Sequence, residues 1–118
     1  MTPAKLDLTI YKGTTFRKGF QWKIQSTDLP MDLTGCTIKM QVKEGACSEV
    51  PLIELTTANG KIVIESAIDG KWIIEILSAD TATLNPIRYV YDMDITFPSG
   101  DVFTVTSGII KVIEQVTV

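Results

Sequence analysis

Residues 87–105 are the feature that most constrains how this chain can fold. Apolar or aromatic side chains occupy every second position from Ile87 to Phe97, and polar ones occupy most positions between, with Val90 as the exception. Since the side chains of a strand alternate between the two faces of a sheet, this pattern predicts a strand with one buried and one solvated face. The turn-forming residues 98–101 follow, so the segment predicts a long antiparallel β-hairpin.

The rest of the chain predicts an antiparallel β protein of seven or eight strands. Val, Ile and Thr are frequent, and glycine and proline separate the apolar runs. Further strands are expected over residues 6–11, 15–24, 36–43, 52–56, 61–65 and 71–77. The second strand of the hairpin is expected to continue to about Val116. Gly108 lies inside this apolar run and suggests a bulge or bend there.

Local signals place the turns and one helix. Asn59-Gly60 and Asp69-Gly70 predict turns, because both residue types tolerate positive φ. One short helix is expected near residues 78–84, with Ser78 as its cap and Asn85-Pro86 at its end. Together these elements predict a single antiparallel β-sandwich domain over residues 1–118.

Charge and hydropathy exclude two classes of partner. The chain has 11 Lys and Arg against 14 Asp and Glu, a net charge of -3, and contains no basic run. Nucleic-acid binding needs clustered cations to neutralise phosphates, so no nucleic-acid partner is expected. No segment has the length and hydropathy of a membrane span, and the N-terminus lacks the apolar core of a signal peptide. Synthesis in a cytoplasm, with no membrane contact, is therefore expected.

The two cysteines, Cys36 and Cys47, are expected to be reduced. Cys36 shares parity with Ile38, Met40 and Val42, so it is predicted to lie in the core as a small hydrophobic residue. A Cys36–Cys47 disulfide is geometrically open but disfavoured in a reducing compartment.

The sequence offers little for catalysis. It contains no histidine, which removes Ser-His-Asp and Cys-His arrangements and His-containing zinc sites. Asp92 and Asp94 share one face of a strand and are best interpreted as a solvated surface, with a calcium site as the alternative. Neither an enzyme nor a bound cofactor or metal is therefore expected.

Four large aromatic residues could serve either packing or ligand binding. Trp22, Trp72, Tyr89 and Tyr91 all lie at the apolar parity of their strands, so core positions are predicted. Exposed rings would instead favour a carbohydrate-binding module that recognises a host surface glycan, the alternative function.

The last strand carries apolar side chains on both faces. Ile109, Ile110, Val112 and Ile113 break the alternation, which indicates a doubly buried strand, a bulge, or a subunit contact. We assign Ile109 and Ile113 as candidate interface residues, and expect a lysine at either to disrupt assembly without unfolding the chain. The segment before Leu6 is a second candidate contact, on position alone.

Three stretches of the chain form a recognisable pattern: Lys12-Gly13-Thr14-Thr15-Phe16, Asp32-Leu33-Thr34-Gly35 before an alternating strand, and Arg88-Tyr89-Val90-Tyr91-Asp92. These stretches resemble small virion proteins of tailed bacteriophages. The pattern covers nearly the whole chain and is similar to the N-terminal domain of phage upper baseplate proteins. That family usually carries further C-terminal segments, whereas this sequence ends soon after its last strand.

The resemblance implies an immunoglobulin-like β-sandwich and a structural function. The chain is expected to be a non-enzymatic virion subunit, either a tail or baseplate adaptor or a capsid-associated protein. Its expected partners are other virion proteins and possible copies of itself in a homo-oligomer, and its expected location is the virion.

Overall fold

The computed structural model describes residues 4–24, 26–45 and 50–114. These residues form nine strands and one helix. In chain order the elements are β1 (Ala4–Lys5), β2 (Leu8–Tyr11), β3 (Phe16–Gln21), β4 (Thr37–Lys43), β5 (Ile53–Thr56), β6 (Ile62–Ser66), β7 (Lys71–Ile76), α1 (Ser78–Thr81), β8 (Arg88–Thr96) and β9 (Val102–Ile113).

The strands form two sheets. The larger has the order β1-β9-β8-β4-β5, with β2 also paired to β9, and the smaller has the order β3-β7-β6. β1 and β2 run parallel to β9, and the other pairs are antiparallel. The runs β9-β8-β4-β5 and β3-β7-β6 correspond to the G-F-C-C′ and B-E-D sheets of an immunoglobulin-like sandwich. The predicted fold class, an all-β sandwich of this type with one short helix, is confirmed.

The core lies between the two sheets and follows the predicted alternation. Tyr89, Tyr91, Met93 and Ile95 are buried on β8, and every second residue of β4 faces them across the register. Trp72 of the smaller sheet stacks on Phe20, with ring centroids 5.7 Å apart. Its Nε1–H donates to Met93 Sδ at 3.1 Å and so links the two sheets.

Three predicted elements have wrong boundaries. The strand expected over residues 6–11 is divided, since β1 is Ala4–Lys5 and β2 begins at Leu8. The strand expected over residues 15–24 is Phe16–Gln21, because beyond it the Trp22 amide donates to Gly70 O and the Trp22 carbonyl accepts from Met31 N. The helix expected near 78–84 is only Ser78–Thr81, with Leu77 and not Ser78 at the N-cap position. After Thr81 the amides of Thr83 and Leu84 each donate to the carbonyl three residues earlier, which makes the turn tighter than an α-helix. The side chain of Leu84 is buried. In the described part of the chain no helix is long and apolar enough to cross a membrane.

The turns fall where they were expected but do not all make hairpins. Asp69-Gly70 joins the antiparallel strands β6 and β7, and Pro98-Ser99-Gly100-Asp101 joins β8 and β9. Asn59-Gly60 instead carries the chain from β5 in the larger sheet to β6 in the smaller one. The Asn59 carboxamide oxygen accepts from the amides of Thr56 and Lys61, both at 3.0 Å, and holds this crossing.

The expected bulge in β9 lies at Val105, not at Gly108. The register moves by one residue where Met93 pairs with Thr106 and Asp94 with Thr104, which leaves Val105 as the extra residue. Gly108 pairs regularly with Tyr91 and serves another purpose. A Cβ atom there would lie 2.3 Å from Leu6 O, so only glycine admits the N-terminal chain at this point. β9 ends at Ile113, and the expected limit, Val116, lies outside the described residues.

Candidate protein-contact surface

The solvent side of the larger sheet, called the outer face below, carries most of the residues assigned to contacts. Because odd-numbered residues of β8 face the core, its even-numbered residues face outward. β9 contributes alternate residues after its bulge. The two central strands thus place on the outer face Arg88, Val90, Asp92, Asp94, Ser107, Ile109, Lys111 and Ile113.

Ile109 and Ile113 both lie on the outer face. Ile109 is 37% exposed and is paired with Val90, which is half-buried. Ile113 is half-buried and is paired with Tyr11 of β2, which is exposed. The apolar residues of β9 therefore divide between two faces, with Ile110 and Val112 in the core. The assignment of Ile109 and Ile113 to an interface stays a prediction.

A pair of like charges lies between these apolar residues. Arg88 and Lys111 are directly opposite each other in the register, an arrangement that destabilises an isolated sheet. Within the described ranges the ion pairs are Arg17–Glu75 and Lys61–Asp80, so neither Arg88 nor Lys111 has a carboxylate partner there. Sequence reasoning missed this pair, because it becomes visible only when the register is known.

The acidic residues of the outer face lie one step further along β8. Burial raises the pKa of Asp92, the nearby Asp94 carboxylate raises it further, and Lys43 and Lys39 act in the opposite direction. Asp94 accepts a hydrogen bond of 2.7 Å from Thr104 Oγ1. Over the described residues no three His, Cys, Asp or Glu side chains are grouped as a metal site would require.

A shallow depression of about 360 Å³ lies over the middle of the outer face. Its lining includes Lys5, Lys43, Val90, Asp92 and Ile109. Lys5 comes from β1, which pairs with Thr106 and Ser107 of β9. Part of the N-terminal segment that was predicted as a contact therefore borders this depression. Residues 1–3 of that segment lie outside the described part of the chain.

The aromatic residues divide between the core and one end of the sandwich. Trp72, Tyr89 and Tyr91 are buried as predicted. Trp22 is only half-buried and lies 5.9 Å from Phe97 and 6.2 Å from Phe103 between ring centroids. These three rings, called the aromatic end cluster below, are tilted by 58° to 82° to one another. They pack edge against face and do not form a flat platform.

The thiol of Cys36 is buried, as its parity predicted. Burial raises its pKa, which keeps the thiol protonated and unreactive. Cys47 lies outside the described residues, so the disulfide alternative is not addressed by the structure.

No protein-family model matches this chain, and no curated protein matches it. Among solved structures, the chain is similar to extracellular domains 3–5 of Drosophila OTK, with 16% identity and a TM-score of 0.41. That match covers 94% of this chain and 33% of the OTK chain. The chain is also similar to Tim-2, with 14% identity, a TM-score of 0.39 and 99% of both chains covered. This chain therefore spans about a third of the length of the OTK structure.

Proposed function

We propose that this chain is a non-enzymatic structural subunit of a bacteriophage particle that acts through protein–protein contacts. The outer face is the observation that carries the contact part of the proposal. It presents the exposed apolar side chain of Ile109 beside Arg88 and Lys111, two cations without a carboxylate partner among the described residues. An apolar centre with charged neighbours is typical of a surface that another protein covers.

The chemistry of the chain supports binding over catalysis. The sequence has no histidine, and the thiol of Cys36 is buried with a raised pKa. Asp92 is the carboxyl group whose pKa burial raises, and Asp94 lies beside it on the same face of the same strand. Asp92 lines the depression of the outer face but Asp94 does not, so the two carboxylates do not flank a cleft that could hold a substrate between them.

The phage part of the proposal is supported by the sequence resemblance, whose residues hold the fold together. In the Asp32-Leu33-Thr34-Gly35 turn, Thr34 donates to Asp32 Oδ1 from its amide at 2.9 Å, and Leu33 is fully buried. The Arg88–Asp92 stretch supplies alternate residues to the core and to the outer face.

The test is whether the chain is present in purified particles of the phage that encodes it. Quantitative mass spectrometry of gradient-purified particles should find it in a fixed ratio to the major capsid protein. A phage carrying Ile109→Lys should yield particles depleted of the chain, while a control phage carrying Glu65→Arg, on the opposite sheet, should not. Absence of the wild-type chain from particles would overturn the proposal.

The alternative function, a carbohydrate-binding module, has the aromatic end cluster in its favour. Trp22 and Phe103 are both partly exposed, and sugars stack on exposed rings. The tilt between the rings argues against a flat sugar platform. Glycan-array binding by the wild type that is lost in Trp22→Ala would select this alternative, and no binding would exclude it.

A further inference from the structure

We propose that the outer face binds a second copy of this chain across a twofold axis that runs along the Val90–Ile109 row, perpendicular to the strands. This inference deepens the proposed function and rests on it, since it names the partner and geometry of the same contact surface. The occupant follows from how charges are ordered along β8 and β9.

The outer face has three successive rows across its two central strands. On β8 and β9, Arg88 and Lys111 form a cationic row, Val90 and Ile109 form an apolar row, and Asp92 and Ser107 form a row with one negative charge. On the flanking strands, Lys43 lies beside Val90 and Lys5 lies beside Ser107. Rows are separated by two residues of each strand, or about 7 Å. Along β8, the apolar row is therefore flanked by Arg88 on one side and Asp92 on the other.

A twofold axis along the apolar row superposes the two charged rows of opposite copies. Rotation by a half turn about an axis in the plane of the face reverses the strand direction. The Arg88–Lys111 row of one copy therefore lies over the Asp92–Ser107 row of the other copy. Arg88 of each copy then lies over Asp92 of the other, and Lys111 lies over Ser107. Val90 and Ile109 meet their own counterparts on the axis, as a self-complementary interface requires.

The same operation resolves two unfavourable features of the single chain. Arg88 and Lys111 repel each other, and the pKa of Asp92 is raised by burial and by Asp94. Bringing the Arg88 guanidinium of the second copy to Asp92 gives each group a partner of opposite charge. Lys43 meets Lys43 of the second copy on the axis, and the long aliphatic stem of each lets its ammonium turn to solvent.

The size of the outer face fits a weak specific dimer. Four strands spaced about 4.8 Å apart and about nine residues of about 3.4 Å each give a face of about 19 by 30 Å, roughly 600 Å² per copy. Two copies would bury about 1,200 Å², which is at the lower end for specific interfaces. We therefore expect an equilibrium between monomer and dimer that depends on concentration.

Charge reversal on the outer face tests this geometry. Arg88→Asp places two carboxylates opposite each other in the dimer, and Asp92→Arg places two guanidinium groups opposite each other. Sedimentation equilibrium should show that each variant self-associates about tenfold or more weakly than wild type, because two symmetry-related attractions become repulsions. Arg88→Asp also puts a carboxylate opposite Lys111, so the fold itself should not weaken.

Mixing the two variants is the decisive step. An equimolar mixture of Arg88→Asp and Asp92→Arg restores opposite charges at both contacts, so native mass spectrometry should detect the heterodimer. The double variant should recover self-association. Matched reversals on the smaller sheet, Glu65→Arg and Lys71→Asp, should leave the dimer unchanged. A wild-type chain that stays monomeric, or a mixture that fails to form the heterodimer, would overturn the twofold geometry.

The same variants separate this inference from the proposed function. If the wild type is monomeric but Arg88→Asp removes the chain from purified particles, a different virion protein covers the outer face. The twofold geometry then fails and the proposed function stands. If the wild type dimerises as described but is absent from particles, the proposed function fails and the dimer stands.

Discussion

Gly108→Ala is the substitution whose effect follows most directly from the structure. The chain crosses from β1 to β2 over Gly108, and an alanine Cβ would lie 2.3 Å from Leu6 O and 2.9 Å from Leu6 C. Both atoms belong to the backbone, so no side chain can turn away to make room. The φ of Gly108 is outside the left-handed region, so alanine fits the local backbone and the clash is the whole effect.

The size of the effect comes from the contacts that hold the crossing in place. Leu6 N donates to Ser107 O at 3.0 Å, Ile109 N donates to Asp7 Oδ1 at 3.1 Å, and the Tyr91 hydroxyl donates to Leu6 O. Moving the crossing far enough to admit a methyl group breaks or strains all three. At about 0.5–1.5 kcal/mol for each of the three bonds, Gly108→Ala should lower the free energy of unfolding by about 1.5–4.5 kcal/mol.

Urea unfolding followed by tryptophan fluorescence measures this loss, and Gly19→Ala is the matched control. Gly19 also lies in a strand, but a Cβ there would meet only Trp72 O at 3.9 Å, an ordinary contact. The control should change stability by less than about 0.5 kcal/mol. A Gly108→Ala variant as stable as wild type, or a Gly19→Ala variant equally weakened, would refute the reasoning.

Three further predictions concern individual side chains. Trp72→Ala removes a buried ring and should lower the free energy of unfolding by about 3–5 kcal/mol in urea titrations, whereas an unchanged midpoint would mean that the ring is exposed. The pKa of Tyr91 is raised to about 12 by burial and by Asp7, so the folded phenol stays protonated after the unfolded one ionises near its ordinary value. The stability of the wild type should therefore fall as pH rises from about 10 toward 12. In thermal melts over this range, the melting temperature of Tyr91→Phe should fall less steeply with pH than that of the wild type. Equal slopes for the two proteins would contradict the assignment. The raised pKa of Asp92 means that its charged carboxylate destabilises the folded monomer. In dilute protein, Asp92→Asn should therefore be more stable than wild type at about pH 7 but not at about pH 3. An equal gain at both pH values would exclude this cause.

The sequence predicts the strands whose two faces differ clearly in polarity. The alternation in β4, β7 and β8 translates directly into burial, because one face of each strand packs on the other sheet. The helix was overestimated, since its length is set by the tertiary requirement that Leu84 enter the core. Asn59-Gly60 is a correct turn, but a local turn signal does not say whether the flanking strands pair or belong to different sheets.

The position of Ile109 could not be predicted, because it depends on the bulge at Val105. The pairing nearest the turn is Thr96 with Val102, and an unbroken hairpin would bring Tyr89 opposite Ile109 on the core side. The extra residue shifts the register, so Ile109 pairs with Val90 and faces outward. Thr106, next to Val105, is polar, so the alternation of apolar and polar residues gives no sign of this bulge. Ile109 and Lys111 lie on the outer face only because of that shift.

The most direct test of the contact surface is the mass of the chain in solution. Size-exclusion chromatography with light scattering, over a wide range of concentrations, should show wild type moving from monomer to dimer mass. Ile109→Lys should stay monomeric with an unchanged circular dichroism spectrum and melting temperature. A wild-type chain that is monomeric at every concentration, or an Ile109→Lys variant that dimerises equally, would contradict self-association through the outer face.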